Sequence, residues 1–384
     1  NAAASIEEPL TEPVDDDERV AKAARVFPCA QCGASLTFEP GISRLVCSAC
    51  RAVNEPPAVT DAERAGALQE LDYLSQLRQQ ASAEPELGRQ LVECPQCGAR
   101  TELGDHVVAD RCAFCATSLV SVAAHEGRQI RPRGVVPFAV DQSRAQETFR
   151  QWIAGRWFAP NALKRTVTNL ERVRGVYLPC WTFDARTTSH YVGQRGVDRQ
   201  VQDTSTDSTG KTVVVTRTVT DWYPASGVVT LTFDDTLVLA SHSLPDKLES
   251  VLADWDIAAL VPFASDYLAG FTTEAYQVGL EPAFEEAKAQ FGAGIIAAVH
   301  QDIGGNHQRV HDVSTRYDDV TFKHILLPAW ICSYRFGGKS WCVVVNGQTG
   351  AVRGDRPWSI VKLTLAALVV LAIVAVLVVL KQRQ

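Results

Sequence analysis

The longest uninterrupted apolar pattern in the chain is its last. From Leu363 to Leu380 there are 18 residues without a charge and with one hydroxyl, Thr364, bounded by Lys362 on one side and by Lys381 and Arg383 on the other. At ~1.5 Å per residue a helix of that length covers about 27 Å, close to the roughly 30 Å of a bilayer's hydrocarbon core. The pattern predicts one membrane-spanning helix within residues 359–384, contacting lipid through 363–380. Because four residues follow it, a body anchored by its tail is expected, not a channel or transporter.

Upstream, from about Gly127 to 358, the periods alternate between 3.6 and 2. Val136-Pro137-Phe138 leads to an amphipathic helix near Gln142–Arg156, with Phe149, Trp152 and Ile153 on one side. Leu178-Pro179-Cys180-Trp181 then opens an alternating strand through Tyr191, and strands are expected near Lys211–Tyr223 and Val228–Ala240 after a polar loop at Asp203–Gly210. Much later Val261-Pro262-Phe263 leads to helical segments through about His300, and Leu327-Pro328-Ala329-Trp330 opens another strand and hairpin. Two such units predict a duplicated α+β domain with antiparallel sheets over residues 126–358. Nearer the N-terminus, Thr60-Asp61-Ala62-Glu63 reads as a capping box for a helix through about Gln80, carrying Leu68, Leu71, Leu74 and Leu77, a spacer within residues 59–90.

The cysteines add the chemistry. Eight of the eleven form C-x-x-C pairs. Cys29 and Cys32 are followed after fourteen residues by Cys47 and Cys50; Cys94 and Cys97 are followed, again after fourteen, by Cys112 and Cys115. Two thiolates on one tight turn grip one edge of a tetrahedral ion and a second turn supplies the other, so this spacing predicts two structural Zn²⁺ ions in zinc ribbons at 26–58 and 91–125. Gly33 and Gly98 suit the positive φ that turns amides toward the sulfurs. Each module holds too few residues for a core of its own, so metal binding must supply most of its folding energy. Four cysteines close each site and leave no position for a catalytic water. Disulfides would need an oxidising compartment, and the acidic segment 1–25 lacks the apolar core of a signal peptide. It reads as a solvated tail.

Charge and motifs exclude several functions. The formal net charge is −7, and residues 1–125 hold ten Arg/Lys against nineteen Asp/Glu, where a nucleic-acid binder needs a basic stripe. Ser333–Ser340 resembles a phosphate-binding loop lacking its first glycine, but the following Trp341-Cys342-Val343-Val344-Val345 is a strand, so no helix N-terminus can face a phosphate. Gly337-Gly338 then reads as a hairpin turn. His300, His307 and His311 have no metal-ligand spacing, and Cys180, Cys332 and Cys342 sit in apolar strands as small core residues. No catalytic or cofactor-binding residue is identified, and the chain reads as non-enzymatic.

With these residues in view, the chain resembles a bacterial family of membrane-anchored zinc-ribbon proteins. Their ribbons are of the transcription factor IIB type, and they are often labelled primosomal or replication-restart helicase-like. The resemblance rests on the eight ribbon cysteines, Val136-Pro137-Phe138, Val176–Ala185, Val345–Gly350, Gly354-Asp355-Arg356-Pro357 and the terminal anchor. It implies an adaptor in the bacterial inner membrane with a cytoplasmic body, working beside flotillin-like (SPFH) and phage-shock-type proteins. Ribbons that dock protein partners are the first reading. A zinc-ribbon nucleic-acid-binding regulator and an enzyme of unknown chemistry in the α+β domain are the rivals.

Overall fold

The computed structural model describes residues 29–34, 36–41, 44–54, 60, 62, 65–66, 68–82, 91–94, 99–102, 109–111, 114, 118–120, 124–125, 130–163, 173–206, 212–244, 255–337 and 339–382. The acidic segment 1–25, three cysteines of the second set (Cys97, Cys112 and Cys115) and residues 207–211 lie outside them. In chain order a small three-stranded sheet, β1 (Leu36–Glu39), β2 (Arg44–Cys47) and β3 (Val53–Asn54), precedes β4 (Leu71–Asp72) and helix α1 (Tyr73–Ser82). Strands β5 (Leu91–Glu93), β6 (Arg100–Glu102), β7 (Ala109–Arg111), β8 (Ser118–Val120) and β9 (Ala124–His125) follow, then β10 (Gly134–Val135) and α2 (Gln142–Ala154). Next come β11 (Val173–Thr206), β12 (Thr212–Leu239), β13 (Val261–Pro262), β14 (Thr272–Thr273), α3 (Leu280–Ile303), β15 (His307–Phe336), β16 (Lys339–Asn346), β17 (Val352–Gly354) and α4 (Ile360–Gln382). The chain is α+β, with antiparallel sheets.

The base of the molecule is where β11 and β15 cross-pair. Leu178 faces Leu327 and Pro179 faces Leu326, so the two Leu-Pro-x-Trp segments lie side by side, antiparallel. Parallel to each runs a two-residue strand: β14 along Val176–Tyr177 and β10 along Ile325–Leu326. A helix follows both, α2 at Gln142 after β10 and α3 at Leu280 after β14. Val261-Pro262, which the sequence sets beside Val136-Pro137, pairs instead with β10.

Alternation along these strands divides the core. Val176, Leu178, Cys180, Ile325, Leu327 and Ala329 are buried with Cys94, Ala99 and Phe114 of the second cysteine module. Tyr177, Leu326 and Trp330 are buried with Phe138, Phe149 and Leu36, Phe38 and Leu45 of the first. Successive side chains of a strand point to opposite faces, so the two cysteine modules cover opposite faces of one sheet. Neither stands off the body. Phe38 donates its amide to Ala269 O at 3.0 Å, and its ring meets Tyr267 edge-on at 5.3 Å. Gly270, at φ +89°, lies so close to Thr37 that a Cβ there would fall 2.4 Å from its methyl group, which leaves the position to glycine. On the other face Ala275 donates to Arg100 O at 3.1 Å, and Ser333 Oγ to Phe114 O at 2.6 Å.

From this base β11, β12 and β15 run on as a three-stranded arm. Strand β11 has 34 residues, about 110 Å at ~3.3 Å each. Past the Gly196–His307 pair only β11 and β12 continue, to Thr206 opposite Thr212. One face is covered by α3, whose Ala283, Phe284, Ala287, Phe291, Ile295, Val299 and Ile303 recur at helical period against Phe183, Ala185 and Tyr191. The other face is solvated.

Two expectations change here. The spacer is not one helix from Thr60: Ala62, Ala65 and Gly66 are helical, but Leu71–Asp72 then pair with Thr321–Phe322, and a separate helix starts at Tyr73, capped by Asp72, which accepts from the Ser75 amide at 2.8 Å. Thr212–Leu239 form one strand, not two, across Pro224 and Gly227. The Gly337 turn joins β15 to β16, as the hairpin reading requires, with φ +62° at Gly337; Gly338 lies outside the described residues. Cys180, Cys332 and Cys342 are buried in the sheet core.

His324 supplies a pH dependence. It is 3% exposed, and its Nδ1–H donates to Ile130 O at 2.7 Å. Nε2 is buried with no hydrogen-bond partner, and the ring lies 4.8 Å from that of Trp181. Burial lowers its pKa to about 4. An unfolded histidine titrates near 6.5, so the stability from a neutral His324 is whole above that pH and is lost as pH falls through about 4. The thermal midpoint in detergent is expected to drop over that window by up to about 3 kcal/mol of stability. His324→Phe should flatten this acid limb; an unchanged limb would assign it to other groups.

Candidate metal centre

Cys29, Cys32, Cys47 and Cys50 come from two turns of the same design. In each the first cysteine accepts an amide from the residue four on: Gly33 N to Cys29 O at 2.9 Å, and Arg51 N to Cys47 O at 3.1 Å. In each the same cysteine donates its own amide five residues on, Cys29 to Ala34 O at 2.8 Å and Cys47 to Ala52 O at 3.0 Å. The crossing needs a left-handed residue, supplied by Gly33 at φ +73° and by Arg51 at φ +61°. Arg51 is the more strained of the two, since it carries a Cβ. The turns aim amides at sulfur: Gln31 N lies 3.4 Å from Cys29 Sγ and Cys50 N lies 3.4 Å from Cys47 Sγ.

The four sulfurs converge. Cys29 Sγ is 3.6 Å from Cys50 Sγ and Cys32 Sγ is 3.5 Å from Cys47 Sγ, each contact bridging the two turns. All four lie within 4.8 Å of one another and none is in a disulfide. Four thiolates at the ~2.3 Å zinc–sulfur distance space their sulfurs about 3.8 Å apart, so the cage has the size of a tetrahedral ion. Its electrostatics also ask for a cation. Amides of Gln31 and Cys32 lower Cys29 to about 6. The Ala52 amide acts the same way on Cys50, but the neighbouring sulfurs of Cys32, Cys47 and Cys29, with burial, outweigh it and push that thiol up to about 12. Without a metal the set cannot ionise together; a divalent ion removes the conflict. Cys29 and Cys47 are buried and Cys32 and Cys50 exposed, so one edge of the cage rests on the body.

Of the second set only Cys94 is described; Cys97, Cys112 and Cys115 lie outside the described residues. Cys94 is buried and donates its amide to Ala99 O at 2.8 Å, repeating the Cys29–Ala34 bond at the same offset.

A second polar cluster went unread in the sequence. Carboxylate oxygens of Glu70, Asp184 and Asp234 lie within 4.8 Å of one another, at two β-bulges that share Asp184. The bulges place Asp235 at φ +47° and Asp319 at φ +52°, and the signal for them is an Asp-Asp pair in mid-strand, Asp234-Asp235 and Asp318-Asp319. A cation is already present. Lys323, 8% exposed, reaches Glu70 Oε1 at 2.9 Å and Asp235 Oδ1 at 2.8 Å. Burial alone would raise Glu70, but hydrogen bonds from Asp184, Thr321 and Lys323 bring it to about 2. Burial and the bond to Glu70 raise Asp184 to about 7. Asp184 thus keeps its proton until the pH approaches 7, and Lys323 answers the charge that remains. The candidate histidines are not assembled: His307 pairs with Asp198 at 3.1 Å on the surface.

At the C-terminus, α4 has 23 residues, about 34 Å. It is long and apolar enough to cross a membrane, and none of Ile360–Leu377 is buried against the protein. Lys362, in the first turn of α4, folds onto the body, donating to Trp157 O and Ala159 O at 2.9 Å and to Asn161 Oδ1 at 2.8 Å.

No family model matches the chain, and no solved structure matches it. It is similar to the uncharacterized protein YdjG of Bacillus subtilis strain 168, at 26% identity over 231 residues, 60% of this chain. The match spans 65% of that protein's length.

Proposed function

We propose that the chain is a non-enzymatic adaptor of the bacterial inner membrane, held by α4 with its body in the cytoplasm. Two zinc ribbons complete that body and offer their outer edges to protein partners. The observation that carries this reading is the closed four-thiol cage: it leaves no coordination position for substrate or water, so its metal is structural. Thiolate ligands need a reducing compartment, which supports a cytoplasmic body. Partners of flotillin-like or phage-shock type rest on the family resemblance alone. The surplus of acid in residues 1–125 weighs against nucleic acid.

The test is fractionation of cells making the full chain. The protein should stay with membranes through an alkaline carbonate wash, and a chain stopped after Trp358 should be released. Recovery of the full chain in the soluble fraction would end the adaptor reading. Crosslinking in intact cells should then give adducts with flotillin-like or phage-shock-type proteins that disappear in Cys32→Ser. Adducts that persist would place the contact away from ribbon one.

A further inference from the structure

Two segments distant in sequence meet at the foot of α4. Ser359 N donates to Phe158 O at 2.8 Å, and the three bonds from Lys362 fix the same 157–161 loop to the first turn of the helix. The loop therefore keeps its level relative to the point where α4 leaves the body. At that level two indoles are turned outward, Trp157 at 77% exposure and Trp358 at 55%. No other tryptophan is among the exposed large hydrophobic residues. An exposed indole is costly in water, and tryptophan is enriched at the membrane–water boundary, where its ring and N–H are both accommodated.

Each side of this foot also carries an arginine on an aromatic face. Arg356 Cζ lies 4.5 Å from the Trp358 ring centroid, and Arg156 Cζ lies 4.7 Å from that of Trp152. Among the described residues neither guanidinium is in an ion pair, and Arg356 Nη1 is buried without an acceptor. Burial, then the positive charge of Arg156, lowers the pKa of Arg356. Two guanidiniums that repel one another, one with an unanswered donor, have no anion beside them among the described residues. A planar fork fits a phosphate group.

We propose that residues 152–158 and 356–358 form a collar seated in the headgroup layer of the bilayer that α4 enters. Trp157 and Trp358 lie at the boundary, and Arg156 and Arg356 hold a phospholipid phosphate between them. The proposal rests on α4 spanning the membrane, as argued above. It assigns the body a fixed posture, with its base on the lipid surface and the β11–β12–β15 arm carried by that base, in place of a body swinging on a tether.

The full-length protein in nanodiscs of phosphatidylcholine and phosphatidylglycerol tests this, with lipids brominated near the carbonyls or at mid-chain. Shallow bromination should quench wild-type tryptophan fluorescence. Trp157→Phe/Trp358→Phe should lose most of that quenching, whereas Trp222→Phe on the arm should lose none. Arg156→Gln/Arg356→Gln, with unchanged zinc content as the control for folding, should reduce shallow quenching severalfold. Leu371→Trp reports the anchor itself and should gain deep quenching. If it does not, the membrane reading fails. If it does, while the Trp157/Trp358 pair contributes nothing, the collar alone is overturned. A saturable spectral change produced in detergent by inorganic phosphate, and abolished by the double arginine variant, would replace the lipid by a soluble anion and also overturn the assignment.

Discussion

On the two-zinc proposal, replacing Cys47 by serine is expected to lower bound zinc from two ions per chain to one and to unfold the first cysteine module. The ligand is buried, its sulfur touches Cys32 Sγ at 3.5 Å, and its amide and carbonyl close the second turn through Ala52 and Arg51. Structural zinc contributes apparent free energies of about 10–16 kcal/mol, far more than a segment of this size can gain from burial. Losing one thiolate removes most of that. The effect should spread, because Leu36, Phe38 and Leu45 share a core with Phe138, Tyr177 and Trp330. The Leu-Pro-x-Trp base would lose the cover on one face, so the thermal midpoint of the body should fall as well. Metal analysis and limited proteolysis read both effects. Cys332→Ser changes a buried thiol outside the cage and should leave the zinc count alone. Two ions retained by the Cys47 variant would remove the metal reading of this cage.

That spread marks how far the sequence could be read. The cysteine spacing locates the cage because its chemistry is local: each turn closes within six residues, from Cys29 to Ala34 and from Cys47 to Ala52. What the cysteine modules rest on is not local. Phe38 belongs with Tyr267 and Phe271, more than two hundred residues away, and nothing in a short window shows that a small module's apolar side will be spent on another domain's sheet. The arm was legible in composition but not in length. Pro224-Ala225-Ser226-Gly227 has the look of a turn, yet it lies inside β12, opposite Gln194 to Tyr191. β12 is an edge strand, where a missing proline N–H costs little. Gly227 is there because a Cβ would fall 2.8 Å from Tyr191 Oη and 2.7 Å from Asp302 Oδ2. The hydroxyl of Tyr191 donates to that same carboxylate at 2.5 Å, pinning α3 to the arm. Turn residues in mid-strand thus marked a close approach.

The charge cluster at the root of the arm escaped for the same reason, since Glu70 and Lys323 come together only when β4 adds to β15. It carries the second large expectation. Lys323→Met keeps the length of the side chain and removes the ammonium that faces Glu70 at 2.9 Å and Asp235 at 2.8 Å. Removing one partner of a largely buried ionic group leaves the others uncompensated, which costs about 3–5 kcal/mol. The partial exposure of Glu70 and Asp235 puts this site at the lower end of that range. Asp184→Asn is the opposite experiment. The folded protein holds Asp184 near 7, above its unfolded value, so its carboxyl favours folding in the protonated form and opposes it as pH rises toward and past 7. The asparagine should therefore be tolerated near pH 8, where it removes a carboxylate from the cluster, and should lose that advantage below pH 5. Unfolding midpoints of both variants at pH 5 and 8 decide the matter. If Lys323→Met proves neutral, or Asp184→Asn shows no pH dependence, then water reaches these groups and the bulge is not a closed ionic site.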